Sequence, residues 1–253
     1  MREIKDMSVL ITGGGSGIGE GTAHYFAARG AKVTITGRRK DKIDAVAQAI
    51  GPACRAVMGD VTVQADRAAM LAAAVEHGGK LDVLISNAAN MYRQAVGEYT
   101  EEFLKEAFNT NVISGMMLSS MAVPLLEKTH GAIIFLGSIH NRRAYPGASP
   151  YATTKAAIEG LTRVMAAELG RRQIRVGCIL PGAVATEINL RAGLFTAEQS
   201  EARYASIAPD HALGRTGTVT EIAEAMEYLV RAEWVTGVAL EVDGGLGLGV
   251  SNF

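Results

Sequence analysis

The sequence predicts an α/β fold: a single doubly wound domain, with a seven-stranded parallel sheet and helices on both faces. Three observations predict it. Short apolar runs alternate with longer amphipathic stretches along the 253 residues. Seven of the apolar runs have the length and composition of strands. A glycine-rich run, Thr12-Gly13-Gly14-Gly15-Ser16-Gly17-Ile18-Gly19, follows the first of them and opens a helix.

The elements follow in order. Ser8–Thr12 is a strand, and Ile18–Arg29 a helix stopped by Gly30. Lys32–Thr36 is the second strand. Lys40–Ile50 is helical and Cys54–Met58 is a strand. Val63–His77 is an alanine-rich helix closed by Gly78-Gly79, and Leu81–Ser86 is a strand. Glu101–Leu126 reads as one long helix, followed by the strand Ala132–Leu136. Ser149–Leu169 is a helix and Ile174–Leu180 a strand. Val219–Arg231 is the last helix and Val238–Val242 the last strand. No repeat, linker or low-complexity tract divides the chain. One long irregular segment remains, residues 183–217, and a substrate lid is the commonest use for such a loop.

Hydrophobic residues make up 48% of the chain, enough for a substantial core. A net charge of -1 argues against a large nucleic-acid footprint. Cys54 and Cys178 sit in apolar stretches and read as buried thiols, not as a bridge or metal ligands. His24, His77, His130 and His211 have no metal-ligand spacing. The first residues lack the apolar region of a signal peptide, and no apolar run is long enough to span a bilayer. A cytoplasmic protein without a metal or membrane partner is expected.

The glycine run sits where a phosphate site needs it, between strand and helix. Gly13, Gly17 and Gly19 permit a tight turn and close backbone approach to a pyrophosphate. Gly15, Ser16 and Ile18 complete the loop. The helix that starts there offers free N–H groups and the positive end of its dipole. NAD-specific dehydrogenases carry an acid about 20 residues further on. Here that position is Gly37, followed by Arg38 and Arg39. With no acid, and two arginines able to hold a 2′-phosphate, NADP(H) is favoured and NAD(H) is less favoured.

Tyr151 and Lys155 are four apart in Tyr-Ala-Thr-Thr-Lys, hence on one helix face. Reduction of a ketone needs a hydride and a proton. Tyr151 can give the proton, if a cation such as Lys155 lowers its pKa from the ordinary ~10. Ser138 ends a strand, where ligands meet an open α/β sheet, and can align the substrate oxygen with Tyr151.

With these residues in order, the whole chain resembles the short-chain dehydrogenase/reductase family. The matches are Thr12-Gly13-(x)3-Gly17-x-Gly19, Asp60-Val61, Asn87-Ala88-Ala89, Asn111, Ser138, Tyr151-(x)3-Lys155, Pro181-Gly182 and Thr186. The resemblance implies a Rossmann domain, 1–253, with Asn111, Ser138, Tyr151 and Lys155 as the catalytic group. It places Asp60 and Val61 beside the adenine. Asn87 and Ala88 brace the sheet against the cofactor ribose, and Lys155 also binds the nicotinamide ribose. Asn111 holds a water that relays protons to Lys155. Pro181, Gly182, Val184 and Thr186 contact the nicotinamide end. The resemblance also implies a homotetramer built through the long helices and the last strand, with the tail from Gly244 to Phe253 packed across an interface.

Three departures from the family pattern stand out. Ala89 replaces the usual glycine, which perturbs packing but not chemistry. Ser16 stands where many NADP-using members carry a basic residue. Arg231–Val235 is a few residues short, with an expected effect on the surface near the lid.

Other residues have plainer readings. His140 reads as pocket wall, Arg142 and Arg143 as a solvated turn, and Met116, Met117 and Met121 as core or subunit interface. The expected activity is an NADP-dependent carbonyl reductase or secondary-alcohol dehydrogenase acting on a small molecule. One alternative is a 3-oxoacyl-carrier-protein reductase, with Lys128 and Arg172 as basic surface toward an acidic carrier. An alternative of another class is an NADP-sensing regulator without turnover. Such proteins usually lose the tyrosine or the lysine, and this chain keeps both.

Overall fold

A computed structural model describes residues 1–249, leaving aside the side chain of Arg191. The end of the tail, 250–253, lies outside the described residues, so the expected interface role of that stretch does too. The strands are β1 (Ser8–Thr12), β2 (Lys32–Gly37), β3 (Cys54–Met58), β4 (Val83–Ser86), β5 (Ala132–Leu136), β6 (Arg175–Pro181) and β7 (Val238–Val242). They form one sheet in the order β3-β2-β1-β4-β5-β6-β7, with every neighbouring pair parallel. The order reverses between β1 and β4, and a crevice opens beyond the carboxyl ends of those strands.

Alternation along each strand feeds two cores. Val9, Ile11, Val33, Ile35, Val83, Ile85 and Ile134 face one layer. There α1 (Gly17–Ala27) packs with α9 (Val219–Arg231) through residues such as Phe26, Ile222 and Met226. Leu10, Leu84, Ile133 and Phe135 face the other layer. There α3 (Gln64–Gly78), α5 (Ser114–Glu127) and α6 (Ser149–Leu169) contribute Met70, Leu118, Leu126 and Ile158. Each such side chain stabilises the fold by roughly 1.5–3 kcal/mol on burial. The remaining helix of the sheet's far edge is α2 (Lys40–Ile50).

Two expectations need correction. The long helix expected over 101–126 is broken. It runs as α4 (Glu101–Phe108), one π turn (Asn109–Ile113), and then α5. The π turn carries Asn111, and such turns concentrate at functional sites because they re-aim the backbone. The segment expected to be irregular is largely helical. It contains α7 (Ile188–Arg191), α8 (Ala197–Ile207) and a 3₁₀ turn, Ala208–Asp210. Thr196 and Gln199 form a capping box that starts α8. A parallel bridge between Val184 and Gly217 closes the base of the segment.

The short connection before β7 also differs from expectation. Trp234 there is fully exposed. It lines a recess with Arg2, His130 and Arg175 at the end where β5 and β6 begin, opposite the segment 183–217. It therefore does not shape the surface near that segment.

Candidate active site

The glycine loop joins β1 to α1 at the point where strand order reverses. Gly13 has φ +68° and Gly17 φ +58°, both in the left-handed region that glycine tolerates. A Cβ on Gly19 would overlap the Gly13 carbonyl oxygen and lie 2.6 Å from Asn87 Nδ2. The Asn87 amide explains that crowding: Nδ2 donates to Thr12 O at 2.8 Å and to Gly13 O at 3.1 Å. Thr12 Oγ1 in turn accepts from the backbone N–H groups of Asn87 and Ala88, both at 3.0 Å. β1 and β4 are thus tied together under the crevice. The first turn of α1 has no side-chain cap from Ser16. Its free N–H groups open onto the cavity that Gly13, Ser16, Gly17 and Ile18 line, as an anion cradle requires.

At one end the crevice is lined by Gly15, Ser16, Gly37, Arg38, Arg39, Lys42, Asp60 and Val61. Arg38 is 73% exposed, and its Nη1 lies 3.7 Å from an Asp60 oxygen. Arg39 is held more firmly: it donates to Ser16 Oγ at 3.1 Å and to Glu187 at 3.3 Å. Burial alone would raise the Asp60 carboxyl. Bonds from the Thr62 N–H and hydroxyl, with the charge of Arg38, hold it below its ordinary value. This end joins the other along Gly13, Ser16, Ala88 and Ala89, which line both.

At the far end Ser138, Tyr151 and Lys155 converge, with Gly182, Val184 and Thr186 opposite. Ser138 lies just past β5 and caps a 3₁₀ turn, Ile139–Asn141. Tyr151 and Lys155 share the buried face of α6, at 6% and 3% exposure. Lys155 Nζ donates to Leu136 O at 2.7 Å and stands 5.5 Å from the centre of the Tyr151 ring. Burial pushes the Tyr151 hydroxyl up to about 12, against a smaller downward pull from its bond with Ser138. The expected lowering by Lys155 is not seen in the protein alone, where burial sets the direction and Ser138 gives the opposing pull. Burial lowers Lys155 to about 8, with Cys178 opposing weakly.

Asn111 is buried beside this group, and its amide is engaged. Nδ2 donates to Asn90 O at 3.0 Å and Thr154 Oγ1 at 3.1 Å, and Oδ1 accepts from Asn90 N–H at 2.9 Å. Both amide hydrogens are held by protein atoms, so the side chain ties the 90 loop to α6.

His140 is a wall residue, as the sequence suggests, with one addition. Its Nδ1 lies 3.0 Å from Ser138 Oγ, and its ring meets that of Tyr151 edge-on at 5.2 Å. Burial, then the charges of Arg93 and Arg203, lowers it to about 4, so the ring is neutral. Arg93, Tyr145, Arg203 and Tyr204 also line this end. Arg203 and Tyr204 fall within the segment expected to form a lid, but no sequence signal singled out Arg93, Tyr145 or Arg203. Arg93 is a lone cation on a loop. The other route lay through the capping pair Thr196 and Gln199, which would have exposed α8 and with it Arg203 and Tyr204.

The chain that builds this trough, from paired arginines past an uncapped helix to a buried Ser-Tyr-Lys group, matches a family described as Enoyl-(Acyl carrier protein) reductase over residues 13–247. The chain belongs to the short-chain dehydrogenase/reductase family. It is an oxidoreductase of that family. It is 34% identical over 249 residues to "Oxidoreductase asL5" of Sarocladium schorii, covering 97% of this chain and 98% of the relative. A short-chain dehydrogenase/reductase of unknown function from Caenorhabditis elegans, solved with cofactor, superposes with a TM-score of 0.92 at 27% identity, covering 99% of this chain and 98% of the other. The 3-ketoacyl-(acyl-carrier-protein) reductase from Brucella melitensis, complexed with NADH, gives a TM-score of 0.88 at 30% identity, covering 96% and 99%. Among the described residues no helix is long and apolar enough to cross a membrane.

Proposed function

We propose that the protein transfers a hydride between NADP(H) and a small ketone or secondary alcohol, with Tyr151 as the acid and base. The observation that carries this reading is the burial of Ser138, Tyr151 and Lys155 together at one end of a trough that begins at Arg38 and Arg39. The glycine loop and α1 would hold the pyrophosphate, and Asp60 and Val61 the adenine end. The pair Asn87 and Ala88, with Lys155, would face the riboses. Pro181, Gly182, Val184 and Thr186 would face the nicotinamide. Bound there, the nicotinamide supplies or accepts the hydride. Ser138 orients the carbonyl oxygen by donating to it. Tyr151, protonated at neutral pH in the protein alone, donates its proton to the same oxygen. In the opposite direction Tyr151 must lose its proton first, and the positive charges beside it in the loaded site favour that loss.

The choice of NADP(H) rests on Gly37 in place of an acid and on three cations, Arg38, Arg39 and Lys42, at that end. The Brucella relative, complexed with NADH, keeps NAD(H) as the competing choice. Reduction of a carrier-bound 3-oxoacyl group is less well supported. Arg172, one of its two basic residues, is already paired with Glu127 at 2.6 Å. Assembly as a homotetramer fits the exposed apolar residues Ile113, Met116 and Met117 near the start of α5, and Val164 on α6. A cytoplasmic location fits the two free thiols. The test is purified protein against a panel of ketones and alcohols with all four nicotinamide forms, followed by absorbance. Turnover supports the reading. Cofactor binding without turnover of any substrate would make the chain a sensor instead.

A further inference from the structure

The cations around the site divide into two sets. Most already face a carboxylate. Arg39 and Lys42 share Glu187, at 3.3 and 3.9 Å. Arg38 has Asp60. Arg142 holds Glu159 and Glu241, both at 2.8 Å, and Arg143 holds Asp210 at 3.0 Å. Arg93 and Arg203 differ. Among the described residues neither has a carboxylate within ion-pair distance, yet both are half-buried in the lining of the substrate end.

We propose that Arg93 and Arg203 form an anion subsite, and that the substrate is a carbonyl or hydroxyl compound carrying a carboxylate or phosphate. This rests on the reading of the site as a hydride-transfer centre and names the class of substrate it takes. Arg93 comes from the loop after β4 and packs on Pro146 O, to which Nη2 donates at 2.6 Å. That bond holds one edge of the guanidinium, and among the described residues its other N–H groups make no hydrogen bond. Arg203 comes from α8, with its guanidinium carbon 5.7 Å from the centre of the Phe195 ring. The two charges are near enough to oppose one another, since burial and then Arg203 lower Arg93. Both also act on His140, which itself adjoins Ser138 and Tyr151. The anion would thus sit on the His140 and Tyr145 side of the reacting carbonyl.

Charge and geometry agree on the ligand. Two half-buried guanidiniums close together without a counter-ion are a cost to the free protein, and a bound anion offsets it. Their planar forks suit the paired oxygens of a carboxylate or phosphate. Among the described residues the nearby carboxylates already have partners: Asp210, whose charge reaches Tyr145, is held by Arg143 at 3.0 Å. Glu187, which also lines this cavity, is committed to Arg39 and Lys42. His140 is neutral, and Tyr145 is raised by its burial. The same arrangement would couple binding to shape, because one anion would join the 93 loop to α8.

The test compares each acid with its own neutral form. Pyruvate, acetoacetate and levulinate are assayed against their methyl esters, and dihydroxyacetone phosphate against dihydroxyacetone, with NADPH and with NADH. At the chain length that fits, kcat/KM for the acid or phosphate should exceed that of the neutral form by about tenfold to a hundredfold, and should fall with added salt. Arg93→Met and Arg203→Met should each cut that ratio by about tenfold or more, with partial rescue by Arg→Lys. The carboxylate and phosphate arms tell the two anions apart. Equal turnover of acid and neutral form at every length, or a ratio indifferent to both variants, overturns the subsite and leaves the oxidoreductase reading standing. Calorimetric titration of the same acids into NADP⁺-loaded protein separates the converse case. Salt-sensitive binding that both variants abolish, with no substrate turned over, supports the subsite and removes the hydride-transfer reading.

Discussion

The two ends of the crevice are built in different ways. The cofactor trough is made of backbone: two left-handed glycines, a helix N-terminus, and strand ends tied by Thr12 and Asn87. It rests on both buried cores, and a methyl group at Gly19 would break it. The substrate end is made of side chains, and they come from a loop after β4, a 3₁₀ turn, and α8. On α8 only Ser200 is buried. Any dinucleotide needs the same pyrophosphate cradle, so that half must keep its shape. Substrate choice requires only that a few side chains change, and those sit where the fold does not depend on them.

Tyr151→Phe gives the largest expected effect and tests whether the two ends are independent. The hydroxyl matters only where charge develops, so turnover should fall by about a thousandfold. Cofactor affinity should stay near that of the unaltered protein, because the trough does not use the hydroxyl. More than about a tenth of the original rate on any good substrate would sink the assignment.

The comparison also explains what the sequence disclosed. Strands such as Val9-Leu10-Ile11 are apolar on both faces because both are buried, and this shows as an unbroken run. Glycines 13, 17 and 19 are legible because no other residue fits. The helix α8 was not legible by periodicity: Ala-Glu-Gln-Ser-Glu-Ala-Arg-Tyr presents no apolar stripe, since it covers no core. The π turn around Asn111 leaves no mark either, because a change of backbone register does not alter which residues are apolar. Arg93 and Arg203 are far apart in sequence and meet only through tertiary folding.

His140 should reveal the substrate end by its effect on stability. Its folded pKa lies near 4, below the ordinary value of about 6.5, so the unfolded chain takes up the proton first. Stability should therefore fall as pH drops from about 6.5 toward 4, by at most ~3 kcal/mol from this residue. His140→Gln removes the titration, and its urea-unfolding stability should fall less over that window than that of the unaltered protein. Parallel slopes for the two would mean that the ring is not held neutral.

Arg38→Ala acts on the trough alone and is smaller. Arg39 is occupied by Ser16 and Glu187, whereas Arg38 has one distant carboxylate and lies open to a 2′-phosphate. A charge-assisted bond is worth roughly 1.5–3 kcal/mol. The ratio of kcat/KM for NADPH over NADH should drop by about tenfold or more, with little change in the ranking of substrates. A starting protein that already prefers NADH would show Arg38 to be a surface residue with no such role.

The smallest effect is a difference in mobility, and it bears most directly on the contrast between the ends. We expect residues 187–213 to move as a lid, although most of the segment is helical. Its base is fixed by the Val184 and Gly217 bridge, and by the Tyr204 hydroxyl, which accepts from the Thr186 N–H at 3.3 Å and donates to Thr186 O at 3.4 Å. Between those points α8 is mostly exposed, yet Tyr204 and Ile207 line the cavity. Few buried contacts mean a low cost of local opening, while a fixed cover would bar the substrate and a fixed gap would admit water to the reaction. Hydrogen exchange should be fast across 187–213 in the free protein and slower once cofactor and a substrate analogue are bound. Amides of β1 and β4 should be protected in both states. Strong and equal protection of 187–213 with and without ligands would make the segment a rigid wall, and the two ends would then differ in composition but not in motion.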